Sequence, residues 1–333
     1  MIGQIFWRCV LGCVVGAVLA VGPLAGAAEA GKKIRVAIGF NGGMKDKGWY
    51  EGAYAAANRL KKDPAVVEVS YQENIKNSDI EGAMRRWAVE GYNLIFGHSY
   101  EFGEPARKLA KQFPNTIFAI PFFFKTKGFP NVVNYGAQSL DVVFAAGSLA
   151  ALMSKTKKIG VIGGHPVPHK IAEHNGYKAG ARHVVPDIKI SSVFINDWFD
   201  AAKAKEAAIA MIEQGVDVVY TTASPVGIGA IYGAQDKGVY AIGTYMDWRS
   251  LAPDNVISSV VYVWDVPMQQ IVKDMKRGKV GQQYLLGVAA GAAKLAPFNK
   301  KVPPEVAEKV RAVEKGIKAG KIKVPYLPKK EID

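Results

Sequence analysis

From residue 33 onward, short apolar runs alternate with longer amphipathic stretches. Ile34-Arg-Val-Ala-Ile-Gly-Phe40 is rich in branched residues and predicts a strand; Gly42-Gly43 predicts a turn. An Ala-rich helical pattern runs from Gly48 to Leu60, and Val66 to Tyr71 is again strand-like. Asp79 to Glu90 predicts a helix with Asp79 as its N-cap and Gly91 at its close. Asn93 to Phe96 is a strand, Glu104 to Gln112 a helix stopped near Pro114, and Thr116 to Phe122 a strand. Strands separated by helices of this size form βαβ units with a parallel sheet.

The pattern then restarts. Leu140 to Met153 is a helix rich in Ala and Gly, and Lys158 to Ile162 opens a second strand series. Asn175 to His183 and Ala201 to Gln214 predict helices. Lys189 to Ile195, Val216 to Tyr220, Val239 to Ile242 and Asn255 to Tyr262 predict strands. Lys300 to Lys318 is a charged helix, followed by an extended tail at Val324-Pro-Tyr-Leu-Pro. Two α/β series predict two lobes, each with its own sheet. No Pro- or Ser-rich tether separates them, so short chain crossings should join them. The expected crossings lie near Tyr135–Ser139, Asn255–Ser258 and Tyr284–Val288. The first lobe is then 31–138 plus about 257–284, and the second 139–256 plus about 285–333.

Residues 1–30 break the alternation. Arg8 precedes a long apolar run that ends in small residues and an A-x-A site at Ala28-Glu29-Ala30. This is the pattern of a cleaved secretory signal peptide. The run is interrupted by Gly and Pro and is short for a membrane span. Cys13 lies inside the apolar run rather than after it, which argues against lipidation. Both cysteines, Cys9 and Cys13, fall in this segment, so a processed chain has no thiol for a disulfide, a nucleophile or a metal. The formal charge is +14. Its Lys and Arg residues are dispersed, without a helix-turn-helix or an aromatic-interleaved basic box, so nucleic acid is not the expected partner.

Catalytic patterns are lacking. His165, His169 and His174 do not have the helical spacing of a zinc hydrolase, and neither a G-x-S-x-G elbow nor a P-loop occurs. Gly227-Ile-Gly229-Ala-Ile-Tyr-Gly233, with Asp247 about 20 residues on, imitates a dinucleotide fingerprint with its third glycine one position late. A strand-to-helix turn in close contact with a ligand or neighbour is the better reading. No metal or cofactor is expected. What stands out is aromatic residues where strands end, the place where α/β sheets bind ligands. Phe40, Asn41, Tyr100, Trp198, Phe199, Ser224, Tyr245, Asp247 and Trp248 sit at such ends, and Trp49 opens the first helix. Aromatics with a few polar groups suit a flat ligand with a polar edge.

These residues carry a resemblance. Asp46-Lys-Gly-Trp-Tyr-Glu-Gly52, Lys111-Gln-Phe-Pro114, Gly163-Gly164, Asn175-Gly-Tyr-Lys-Ala-Gly180, Ala201-Ala-Lys-Ala-Lys-Glu206, Gln214-Gly-Val-Asp-Val-Val219, Ile242-Gly243 and Ser258-Ser259 before Asp265-Val266 span nearly the whole chain after residue 30. Together they resemble the basic membrane protein family of ABC-transporter substrate-binding proteins. The resemblance implies an α/β, two-lobe type I periplasmic-binding-protein fold, each lobe a parallel sheet flanked by helices. Studied members bind purine nucleosides. The family's two stacking Phe residues fall on Trp49 and Trp198, which keep an aromatic face. Its ribose-gripping Asp and Lys fall on Tyr245 and Tyr262.

A base-stacking half that survives beside a sugar-binding half that does not implies a planar ligand without ribose: a free purine base or a similar heterocycle. Asp247 and Glu104 are candidate acceptors for ring N–H groups, and Asn41 can donate and accept at a purine edge. The implied partners are this solute and an ABC permease in the inner membrane, with the protein acting as a periplasmic monomer and not as an enzyme. A sugar- or other small-solute-binding protein of the same fold, and an exported nucleoside hydrolase, are the alternatives. The first strand ends without the Asp cluster that a hydrolase needs.

Overall fold

The computed structural model describes residues 33–122, 125–330 and 332. The segment read as a signal peptide, with Cys9 and Cys13, lies outside the described residues. The chain opens with β1 (Ile34–Gly39), α1 (Trp49–Arg59), β2 (Val66–Gln72), α2 (Ile80–Val89), β3 (Leu94–Gly97), α3 (Gly103–Ala110), β4 (Ile117–Pro121) and β5 (Val132–Ala137). It continues with α4 (Leu140–Met153), β6 (Lys158–Gly163), α5 (Pro168–Val184), β7 (Lys189–Phe194), α6 (Ala201–Glu213), β8 (Val218–Thr221), α7 (Val226–Asp236), β9 (Tyr240–Tyr245) and β10 (Val256–Tyr262). Last come α8 (Asp265–Lys276), β11 (Gln283–Leu286), β12 (Ala293–Leu295) and α9 (Pro304–Lys318).

Two sheets result, in the orders β11-β5-β4-β3-β1-β2 and β12-β10-β9-β8-β6-β7. The first is parallel throughout; in the second only β12 runs antiparallel, against β10. The two orders are the same pattern repeated, with β1 matching β6 and β4 matching β9. Central strands such as β3 and β8 are buried along their whole length, as strands covered by helices on both faces must be. The helices bury one stripe, for example Tyr50, Ala53, Ala56 and Ala57 of α1. Helix α4 is instead buried almost all round, and α5 lies so close to it that a Cβ on Gly180 would sit 1.9 Å from the Phe144 carbonyl oxygen.

Several sequence expectations change. The pattern places residues from about 257 onward in the first lobe, yet β10 pairs with β9 and belongs to the second sheet. The chain therefore crosses not at Asn255–Ser258 but after Tyr262, before α8 packs back beside α1 and β11. The other crossings fall at 138–139 and in the stretch after Leu286 that leads to β12. Helix α5 begins at Pro168 rather than Asn175, with proline in its first turn. Asp79 is the N-cap of α2 by position, but its side chain caps no backbone N–H; it accepts from Ser78 Oγ instead. The glycines of the dinucleotide-like motif lie inside α7, where Gly229 lets the helix meet the Ala201 carbonyl in the first turn of α6.

Candidate functional site

The carboxyl ends of both sheets face one cavity of about 390 Å³. From the first half come Trp49, Tyr50, Tyr100, Glu101, Phe122 and Lys125; from the second, His169, Lys170, Trp198, Phe199, Ser224 and Tyr245. Phe122 and Tyr245 occupy matching places, just after β4 and at the end of β9. Both have left-handed backbone, with φ of 53° and 66°. That conformation costs an L residue roughly 1–2 kcal/mol, so packing must hold it. It turns both rings out of their strands and into the cleft.

Trp49 is held from several sides. Its ring lies 4.7 Å from that of His98, and Trp264 and Tyr245 meet it edge-on at 4.9 and 5.4 Å. Its indole Nε1 donates to the His98 carbonyl. Burial pushes the His98 imidazole down to about 3, so it is neutral at physiological pH. On the second half, Trp198 rests against Gly164: a Cβ there would come within 2.2 Å of the indole. Phe122 and His169 stack across the cleft, 4.9 Å apart and 10° from parallel. Desolvation, with Lys170 adjacent, holds the His169 imidazole well below its usual value.

The halves are also joined by polar groups. The Asp46 carboxylate accepts the backbone N–H groups of Gly48, Tyr50 and Glu51, which opens α1. Ser224 Oγ donates to the same carboxylate at 3.1 Å and accepts from the Trp49 N–H at 3.2 Å. Desolvation raises the Asp46 pKa and these four donors pull it back. Trp248 Nε1 donates to the Lys47 carbonyl. At the crossings, Ser139 Oγ and Tyr262 OH both donate to Glu173 Oε1, and Lys170 Nζ donates to Glu173 Oε2 at 2.7 Å.

Six of the sequence-predicted residues, Trp49, Tyr100, Trp198, Phe199, Ser224 and Tyr245, are thus brought together. Five are not. Trp248 is buried, its indole committed to the Lys47 carbonyl. Phe40 is fully buried behind the wall, edge-on to Tyr50 and His98. Asn41 accepts from the Tyr50 hydroxyl instead of facing the cavity. Glu104 is exposed on α3 and paired with Arg107 and Lys125, whose hydrogen bonds, Lys125 first, lower its pKa. Asp247 is forked by the Arg249 guanidinium, which holds its carboxyl below the usual range. The reading missed Phe122, His169 and Lys170. Phe122 obeyed the strand-end rule, and Pro168 marked the start of α5. Moreover, the ammonium that the resemblance lacked at position 262 is present in the cavity, at Lys170. Among the described residues no cluster of His, Cys, Asp or Glu could hold a metal ion.

A two-lobed α/β molecule with a ligand-sized aromatic cavity between parallel-sheet ends is of the solute-binding class. The chain belongs to the PnrA-like family of ABC transporter substrate-binding proteins, whose profile matches residues 33–328. It is similar to a purine-binding protein of Brucella abortus, 33% identical over 90% of this chain and 85% of that one. Basic membrane protein A of Borreliella afzelii is 29% identical over 88% and 91% of the two chains. In fold it resembles a solved ABC-transporter solute-binding protein of Aeropyrum pernix K1, with a TM-score of 0.78 at 20% identity over 88% and 94%.

Proposed function

We propose that this protein binds a planar purine-type solute between its lobes, a free nucleobase in preference to a nucleoside, and delivers it to an ABC permease. The observation that carries this reading is the cavity's composition. Trp49, Phe122, Trp198 and Tyr245 offer aromatic faces from both lobes, which favours a flat heterocycle. The buried carboxylates near them are committed: Asp46 to its four donors and Glu173 to Ser139, Tyr262 and Lys170. Ribose hydroxyls would find neither of these carboxylates free, only the half-buried Glu101 at the rim, whose Oε2 already accepts from Ser99 Oγ, and unmatched buried polar groups cost about 1–3 kcal/mol each. The purine-binding relative supports the ligand class.

In this reading the chain is exported, cleaved after Ala30 and acts as a periplasmic monomer. The lobes are 33–138 with 264–286, and 139–262 with 288–330, closing about the three crossings. Titration calorimetry tests the ligand: hypoxanthine and adenine should bind at least tenfold tighter than inosine and adenosine, and ribose and galactose should not compete. Nucleosides binding as tightly as bases would overturn the base preference, and sugar binding alone would favour the sugar-carrier reading. Release of base from nucleosides during incubation would make the protein a hydrolase instead.

A further inference from the structure

Lys170 is 1% exposed, yet its side chain lines the cavity. Its ammonium carries three N–H donors. One goes to Glu173 Oε2 at 2.7 Å. Among the described residues the ammonium makes no other hydrogen bond. The rings of Tyr245 and Tyr262 lie 4.9 and 5.7 Å away and offer only their faces. Two donors therefore remain at the wall of a largely apolar cavity, where an unmatched donor is unfavourable.

The lysine cannot easily turn away to find another partner. Glu173 is anchored from both crossing segments by Ser139 and Tyr262, and it in turn anchors Lys170. The result is a preorganised donor beside aromatic walls that set the plane of a ring. An oxo oxygen at the ring edge has lone pairs near that plane and can accept one of the spare N–H groups in a near-linear bond. An exocyclic amino group at the same place would set donor against donor.

We propose that Lys170 is a specificity-determining residue that donates to an oxo oxygen on the bound heterocycle, so the site prefers oxopurines. The proposal rests on the purine reading and names the substrate class within it. Calorimetry with hypoxanthine, adenine and unsubstituted purine tests it on the wild type, on Lys170→Met and on Lys170→Met/Glu173→Gln. The double variant leaves no lone buried carboxylate, so it keeps the test available if the single variant fails to fold. The wild type should bind hypoxanthine at least tenfold tighter than adenine or purine. In each variant that melts cooperatively, that ratio should fall to within about threefold. A wild-type ratio near one, or a ratio that survives the loss of Lys170, overturns the assignment alone. A wild type that binds none of the three overturns the purine reading and the assignment together.

Discussion

Trp49 and His98 hold each other through two backbone carbonyls. The Trp49 Nε1–H donates to the His98 carbonyl at 3.1 Å, and His98 Nε2 lies 3.1 Å from the Trp49 carbonyl. A carbonyl only accepts, so Nε2 carries the proton; Nδ1 then accepts from the Tyr135 hydroxyl. The residue that aims the indole into the cleft is thus a buried, neutral histidine at the end of β3.

This pairing predicts a pH dependence. Above about 6.5, His98 is neutral folded or unfolded and contributes no slope. Between about 6.5 and 3 the unfolded chain takes up a proton that the folded site refuses. Stability should therefore fall as acid is added, by about 1.4 kcal/mol per pH unit. His169, also lowered, acts in the same direction, while the raised Asp46 opposes it near the carboxylate range. Urea unfolding at stepped pH should show a shallower acid limb for His98→Gln than for the wild type. Equal limbs would refute the buried neutral state.

The cavity walls predict which substitutions matter for binding. Trp49→Ala and Trp198→Ala should each weaken purine binding roughly tenfold or more, since stacking adds about 0.5–1.5 kcal/mol beyond area burial. Asp247→Ala and Glu104→Ala should leave affinity within about twofold, because neither carboxylate lines the cavity. Calorimetry on the four variants decides; a large loss in Asp247→Ala would return that residue to the site.

Gly48 predicts a closure defect. A Cβ at this position would stand 2.2 Å from Ser224 Oγ and 2.7 Å from Ser224 Cβ. Gly48→Ala should hold the lobes apart, lowering affinity at least tenfold and leaving a larger radius of gyration at ligand saturation. Adding Ser224→Gly removes the obstructing atoms and should restore part of the closure. Small-angle scattering with and without ligand reads this directly.

The tail gives a stability prediction. Asn175 is fully buried in α5, where its amide donates to the Leu327 and Lys330 carbonyls and accepts from the Ile332 N–H, each at 2.8 Å. Asn175→Ala should cost about 2–3 kcal/mol by stranding several of these groups, measured as a lower midpoint in chemical unfolding. Ligand affinity should change little, since Asn175 lies away from the cavity lining.

Much of this architecture was legible in the sequence because branched runs such as Ile34–Gly39 and Lys158–Ile162 are unambiguous strands. The C-terminal part was harder to read. Residues 265–295 hold α8, β11 and β12, and the two strands are short edge segments whose pairing depends on distant partners. Strand-end position located Tyr100, Trp198, Phe199, Ser224 and Tyr245, and the start of the first helix located Trp49, but position does not reveal direction. Phe40 and Asn41 sit at the end of β1 and point into the wall. The commitment of Asp247 to Arg249, two residues on, is a local pairing that strand-end position does not report. Lys170 was hidden because its helix starts a full turn and more before the first position that looked helical.

The outer strands β11 and β12 both come from residues 283–295. During synthesis, β5 and β10 therefore keep an open edge until almost the whole polypeptide has emerged. Neither half is a finished body that could lock early. The short segment 283–295 thus sets the moment at which either sheet can close.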